Sequence, residues 1–195
     1  MQKKDFLKKE IEHIDIKSFD STKILESFEK TAFQARNLAR ASKIYDRMLA
    51  NKECSVILCL AGSLFSAGLK RVVYDMIDNN MVDAIVSTGA IIVDQDFFEA
   101  LGFRHYIWTP FSDDDELMKN KIDRIYDTLI DEDQLRICDE TIREIADSLE
   151  AKPYSSREIL GEMGKYLKKN NKGRDSVVRL AYEKGITIFV TAFSD

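Results

Sequence analysis

Three short segments of this chain have the residue types and spacing to hold a phosphate-bearing ligand. Gly62, Ser63 and Ser66 follow an apolar run at 54–60. Thr88, Gly89 and Ala90 follow a second short apolar run at 83–86. Asp195 ends a small-residue segment after a third run, 186–190. Small residues at the carboxyl ends of neighbouring parallel strands let a ligand approach the backbone. Hydroxyls and helix N-terminal N–H groups there donate to phosphate oxygens, and a carboxylate at a strand end can hold a ribose hydroxyl. The alternative role for Gly62 and Gly89 is a tight strand-to-helix turn, since the chain has no GxGxxG fingerprint.

These segments need strands and helices to position them. The run at 54–60 is almost wholly apolar, as expected for a strand covered on both faces. A helix is expected over 65–78, a short one over 94–101, and a strand over 103–108. Residues 122–126 read as a further strand or ordered segment. Ser21 or Thr22 caps one long helix to about Asn51, with an apolar core stripe of Leu25, Phe28, Ala32, Ala35, Leu38 and Ala39. Helices follow over 132–149, from Ser155 or Ser156 to about Lys169, and over 174–184, the last closed by Gly185. Residues 1–20 form a charged lead-in. Eight glycines and two prolines, with no repeats or long linkers, fit one alternating α/β domain over 1–195. Its expected core is a mainly parallel sheet with helices on both faces.

Composition narrows the function classes. The net charge of −5 disfavours nonspecific nucleic-acid binding, which rests on phosphate neutralisation by Lys and Arg. The basic stretch 165–174 and the stripe Arg36, Arg40, Lys43 and Arg47 read as solvated faces. Three cysteines without a CxxC and only two histidines argue against a Cys/His metal site, and no metal is expected. Cys54 and Cys59 read as packed residues of a buried strand. The acidic run 113–116 suits a helix N-terminus. His105 and Trp108 read as packed or hydrogen-bonded structural residues, and His13 carries no signal. The N-terminus lacks an apolar h-region, and no run approaches the ~18 apolar residues of a membrane span. A reduced, cytoplasmic protein is expected.

The motifs LAGSLFSAGLK, MVDAIVSTGA and ALGFRHY occur in order, preceded by TAFQARNLARA and followed by IDRIYDT. Together they resemble the deoxyhypusine synthase family, its bacterial deoxyhypusine synthase-like branch most closely, from about Phe33 to Asp195. The resemblance implies a Rossmann-like fold and NAD as cofactor. It places the family's first cofactor loop on Gly62, Ser63 and Ser66, its second on Thr88, Gly89 and Ala90, and its later acidic contact on Asp195. Glycine at 62 stands where family members have a nearby serine. Asp94, Gln95 and Asp96 fall where the match slips by a residue, and no role is assigned to them.

The implied reaction is aminobutyl transfer from spermidine to an acceptor lysine on a protein, or to a small amine as in homospermidine synthases. The implied assembly is a homotetramer. In the family the chain continues beyond the position of Asp195 and supplies the catalytic lysine there. No lysine here matches it, so the catalytic residues are unknown and the sheet is expected to be incomplete at its C-terminal end. A split or truncated enzyme and a noncatalytic partner subunit are the alternatives.

Overall fold

The computed structural model describes residues 2–192. Its centre is a parallel sheet of three strands in the order β1 (Ile57–Cys59), β2 (Ala84–Ser87), β6 (Thr187–Val190). Ile57 pairs with Ala84, and Ala84 with Thr187, so the three apolar runs end side by side. Helices pack around this sheet. α4 (Lys70–Asp78), α8 (Ser156–Lys169) and α9 (Val177–Lys184) are joined to it by a core that includes Phe65, Ile77, Ile85, Ile91, Phe97, Leu167 and Val177. Each such side chain contributes roughly 1.5–3 kcal/mol on burial.

Local chemistry sets the helix ends. Ser155 caps α8, and its hydroxyl forms a reciprocal box with Glu158. Ser176 caps α9, which therefore starts at Val177 rather than at Arg174. Gly185 closes α9 in the left-handed region, φ +72°. α8 and α9 approach closely at Gly164: a Cβ there would lie 2.5 Å from Tyr182 Cβ and 2.9 Å from the Val178 carbonyl oxygen. Gly164→Ala is expected to cost about 1–3 kcal/mol by overpacking, read as a lower urea midpoint with an unchanged slope.

Several expectations are corrected. The long helix from 22 to 51 is two helices, α2 (Thr22–Phe28) and α3 (Phe33–Ala50). Thr31 closes α2 with its N–H and its hydroxyl both donated to the Phe28 carbonyl, and Phe33 takes φ +54°. The stripe on α3 is not core: Ala39 is buried, but Leu38 is 54% exposed. Strand β1 is not covered on both faces. Among the described residues it pairs only with β2, at a sheet edge, which leaves Ile57 59% exposed and Cys59 exposed. The helix over 65–78 opens with a π-helical segment, Phe65–Leu69, and kinks at Gly68, φ +88°. The helix expected from Asp94 begins at Gly89 and is π-helical over Ile91–Phe97, before α5 (Phe98–Ala100).

A second, antiparallel sheet of order β3 (Tyr106–Ile107), β5 (Thr128–Asp131), β4 (Ile122–Ile125) stands beside the first. α6 (Asp114–Lys119) packs on it and α7 (Glu132–Asp147) leaves from it. Asp113 caps α6 by accepting the N–H groups of Asp115 and Glu116, which accounts for the acidic run. A small core of Phe6, Leu117, Ile122 and Leu129 lies under this sheet, with Trp108 against Phe6 at 5.2 Å between ring centroids.

The lead-in is an ordered strap. It starts with α1 (Lys3–Phe6), where Lys3 pairs with Asp131 at 2.6 Å. It then runs antiparallel to β3: Ile107 N–H donates to the Lys9 carbonyl and Ile11 N–H to that of His105. Ile14 N–H reaches the Gly68 carbonyl, and Lys17 pairs with Asp75.

Candidate functional site

Because β1, β2 and β6 are parallel neighbours, the segments after Cys59, Ser87 and Val190 lie along one end of the sheet. This topology brings Gly62, Ser63, Ser66, Thr88, Gly89 and Ala90 to that end. Asp195 lies outside the described residues.

The two glycines play different parts. Gly62 has φ +81°, so the turn itself requires glycine, and no atom lies within 4 Å of where its Cβ would be. The turn role and open space above the backbone therefore coincide there. Gly89 is buried in ordinary helical backbone at a helix start, where conformation alone does not demand glycine.

The hydroxyls also differ. Ser66 is 1% exposed and donates to the Ser63 carbonyl at 3.0 Å, so its proton is committed inside the loop. Thr88 Oγ1 is buried and has no hydrogen-bond partner among the described residues. A buried hydroxyl left without a partner costs about 1–3 kcal/mol, which a ligand acceptor or donor here would recover. Open space at Gly62 and the Thr88 hydroxyl are the two features here that could serve a phosphate-bearing group. A cavity of 250 Å³ lies elsewhere, against the amino-terminal half of β6, lined by Leu160, Val178, Ala181, Tyr182, Ile186 and Ile188 among others. It is chiefly an apolar slot, and the strand-end position carries the site assignment instead.

Behind the two loops lies a buried polar cluster that the sequence reading missed. Glu99, 5% exposed, accepts from His105 Nδ1 at 2.8 Å, from His13 Nε2 at 2.6 Å and from Lys70 Nζ at 2.6 Å. Burial would raise the Glu99 carboxyl, but the two histidine hydrogen bonds and the Lys70 charge outweigh it and hold it well below the usual carboxylate range. Burial would lower the Lys70 ammonium, and the charges of Asp96, Glu99 and Asp175 outweigh that and raise it. Lys70, 2% exposed, is thus pinned as a cation and unsuited to nucleophilic attack. His105 is the packed structural residue expected, with Phe98 at 5.2 Å between ring centroids. His13 does carry a role, tying the strap to Glu99. One signal could have found Lys70: it shares the buried face of α4 with Val73 and Ile77, at spacings of three and four.

The family model for deoxyhypusine synthase matches residues 23–195. A deoxyhypusine synthase-like protein of Elusimicrobium minutum is 58% identical over 196 residues, covering 98% of this chain and 52% of that protein. Another, of Chlorobaculum parvum, is 58% identical over 195 residues, 100% of this chain and 56% of its own length. A probable deoxyhypusine synthase 2 of Methanosarcina acetivorans is 36% identical over 182 residues, 93% of this chain and 52% of that one. The chain spans about half the length of these curated relatives. A crystal structure of a putative deoxyhypusine synthase from Entamoeba histolytica superposes with a TM-score of 0.59 at 19% identity, covering 92% of this chain and 63% of that one, a likeness of fold. With strand ends, loops and sequence match in accord, the chain belongs to the deoxyhypusine synthase family.

Proposed function

We propose that residues 1–195 form the NAD-binding portion of an enzyme that transfers an aminobutyl group from spermidine to an acceptor lysine or small amine. The observation that carries this reading is the pair of neighbouring strand-end loops, with open backbone at Gly62 and a buried hydroxyl on Thr88 that has no partner among the described residues. Ser63, Thr88 and the backbone of Gly62, Gly89 and Ala90 would hold the dinucleotide. Bound NAD supplies hydride acceptance and return. This chain's residues bind and orient it.

Imine chemistry needs a lysine that can lose its proton. Lys70 is the buried lysine among the described residues, and Glu99 holds it as an ammonium. The lysine that forms the imine is therefore assigned to a position outside the described residues, in a longer chain or in a partner subunit, and the acceptor lysine or small amine is separate from it. The exposed Phe33, Leu38 and Ile44 of α3 support self-association, in keeping with a homotetramer. Among the described residues no helix is long and apolar enough to cross a membrane.

The test has two arms. Titration of the chain with NAD in a calorimeter is expected to show saturable binding, and the absence of heat and of any rise in Tm would overturn the cofactor reading. Radiolabelled spermidine with NAD, followed by borohydride, is expected to leave no adduct on this chain. A trapped adduct on any lysine within 1–195 would move the catalytic centre into it.

A further inference from the structure

Two consecutive side chains of the π-helical segment Ile91–Phe97 reach the starts of two other helices. Gln95, 2% exposed, accepts the N–H groups of Phe65 and Ser66 with one oxygen, Oε1, at 3.0 Å each. Both partners are N–H donors, so only the amide oxygen can face them. Asp96, fully buried, accepts from Ser176 Oγ at 2.6 Å and from the N–H groups of Val177 and Val178 at 2.8 and 3.0 Å. Burial pushes the Asp96 carboxyl up, and Lys70 with these three donors opposes the rise. The segment after β2 is thereby tied back to the helix after β1 and forward to the helix before β6.

The first tie bears on the site. Gln95 lies seven residues after Thr88 on the helix that opens with Gly89, and its partners Phe65 and Ser66 follow Gly62 and Ser63 with one residue, Leu64, between. One amide side chain therefore sets the spacing of the two loops. It also occupies two of the orphan donors at the first helix start. We infer that Gln95 is a positioning residue for the dinucleotide, acting through the Phe65 and Ser66 backbone to hold the first cofactor loop at a fixed distance from the second. This rests on the NAD reading above.

Gln95→Met keeps the length and removes the acceptor, whereas Gln95→Glu keeps an oxygen at the same reach. In NAD titrations Gln95→Met is expected to weaken Kd at least tenfold and Gln95→Glu to stay within about fivefold of the parent. Gly164→Ala, destabilised at the α8–α9 contact, should bind within threefold, which separates positioning from general loss of stability. Amide exchange adds a readout that needs no ligand. In the parent, Phe65 and Ser66 N–H should exchange more slowly than those of Ser63 and Leu64, and this protection should vanish in Gln95→Met. A folded Gln95→Met with parental affinity, equal weakening in the Met and Glu variants, or unprotected Phe65 and Ser66 amides in the parent would each overturn the role of Gln95. A parent chain that binds no NAD would instead overturn the cofactor reading, and this inference with it.

Discussion

Replacing Lys70 with methionine is expected to lower the unfolding free energy by about 3–5 kcal/mol, the usual cost of stranding one member of a buried ion pair. Glu99 would keep its two histidine donors but lose the ammonium 2.6 Å away. Urea unfolding at pH 7 measures the loss. Glu99 adds a pH signature. Its folded carboxyl is held below its ordinary value near 4.5, so its stabilisation is present above that pH and is lost as pH falls toward the folded value. Without Lys70 the depression shrinks, and less stability remains to be lost in acid. The deficit of the variant should therefore narrow between pH 7 and pH 3. Adding Glu99→Gln removes the stranded charge, so the double variant should be more stable than the sum of the two single losses. A deficit under 1 kcal/mol, or strict additivity, would show that Lys70 and Glu99 do not act as a pair.

Gly89→Val is expected to weaken NAD binding about 100-fold, two tenfold steps of 1.4 kcal/mol, while the chain stays folded. Gly89 opens a helix in ordinary backbone, so a side chain there meets no conformational barrier. On the cofactor reading, the valine side chain would enter space meant for the dinucleotide, next in sequence to Thr88, whose buried hydroxyl has no partner among the described residues. Calorimetry with NAD, alongside circular dichroism to confirm folding, measures both. Unchanged affinity in the folded variant would remove the second loop from the site.

The parallel strands were legible because each is a short apolar run ending in small residues, and α8 because Ser155 caps it with Glu158 three residues on. Strand β5 was not. Its four residues, Thr128–Asp131, are all buried in a stretch too short for any period to show. The break between α2 and α3 was hidden because Ala32 fits the helical stripe, and the stop shows only in the Thr31 bonds to the Phe28 carbonyl and the positive φ of Phe33. The loops of the site could be read from composition. Gln95 and Asp96 could not, because their directions depend on a π-helical turn that the sequence does not announce. The Lys70–Glu99–His13 cluster was hidden by distance: its bonds join residues 29 and 86 positions apart.

The strap along β3 has a consequence for the order in which the molecule assembles. Lys3 is 128 positions from its partner Asp131, and His13 is 86 from Glu99. The entropy of closing such loops must be met before the contacts return anything, so these pairings form late. A chain made from its amino end releases the strap first, yet the surfaces that receive it exist only after β5 has been synthesised and paired. The first residues to emerge are then among the last to settle. In a native-state exchange experiment they should be the first to lift away, before either sheet opens.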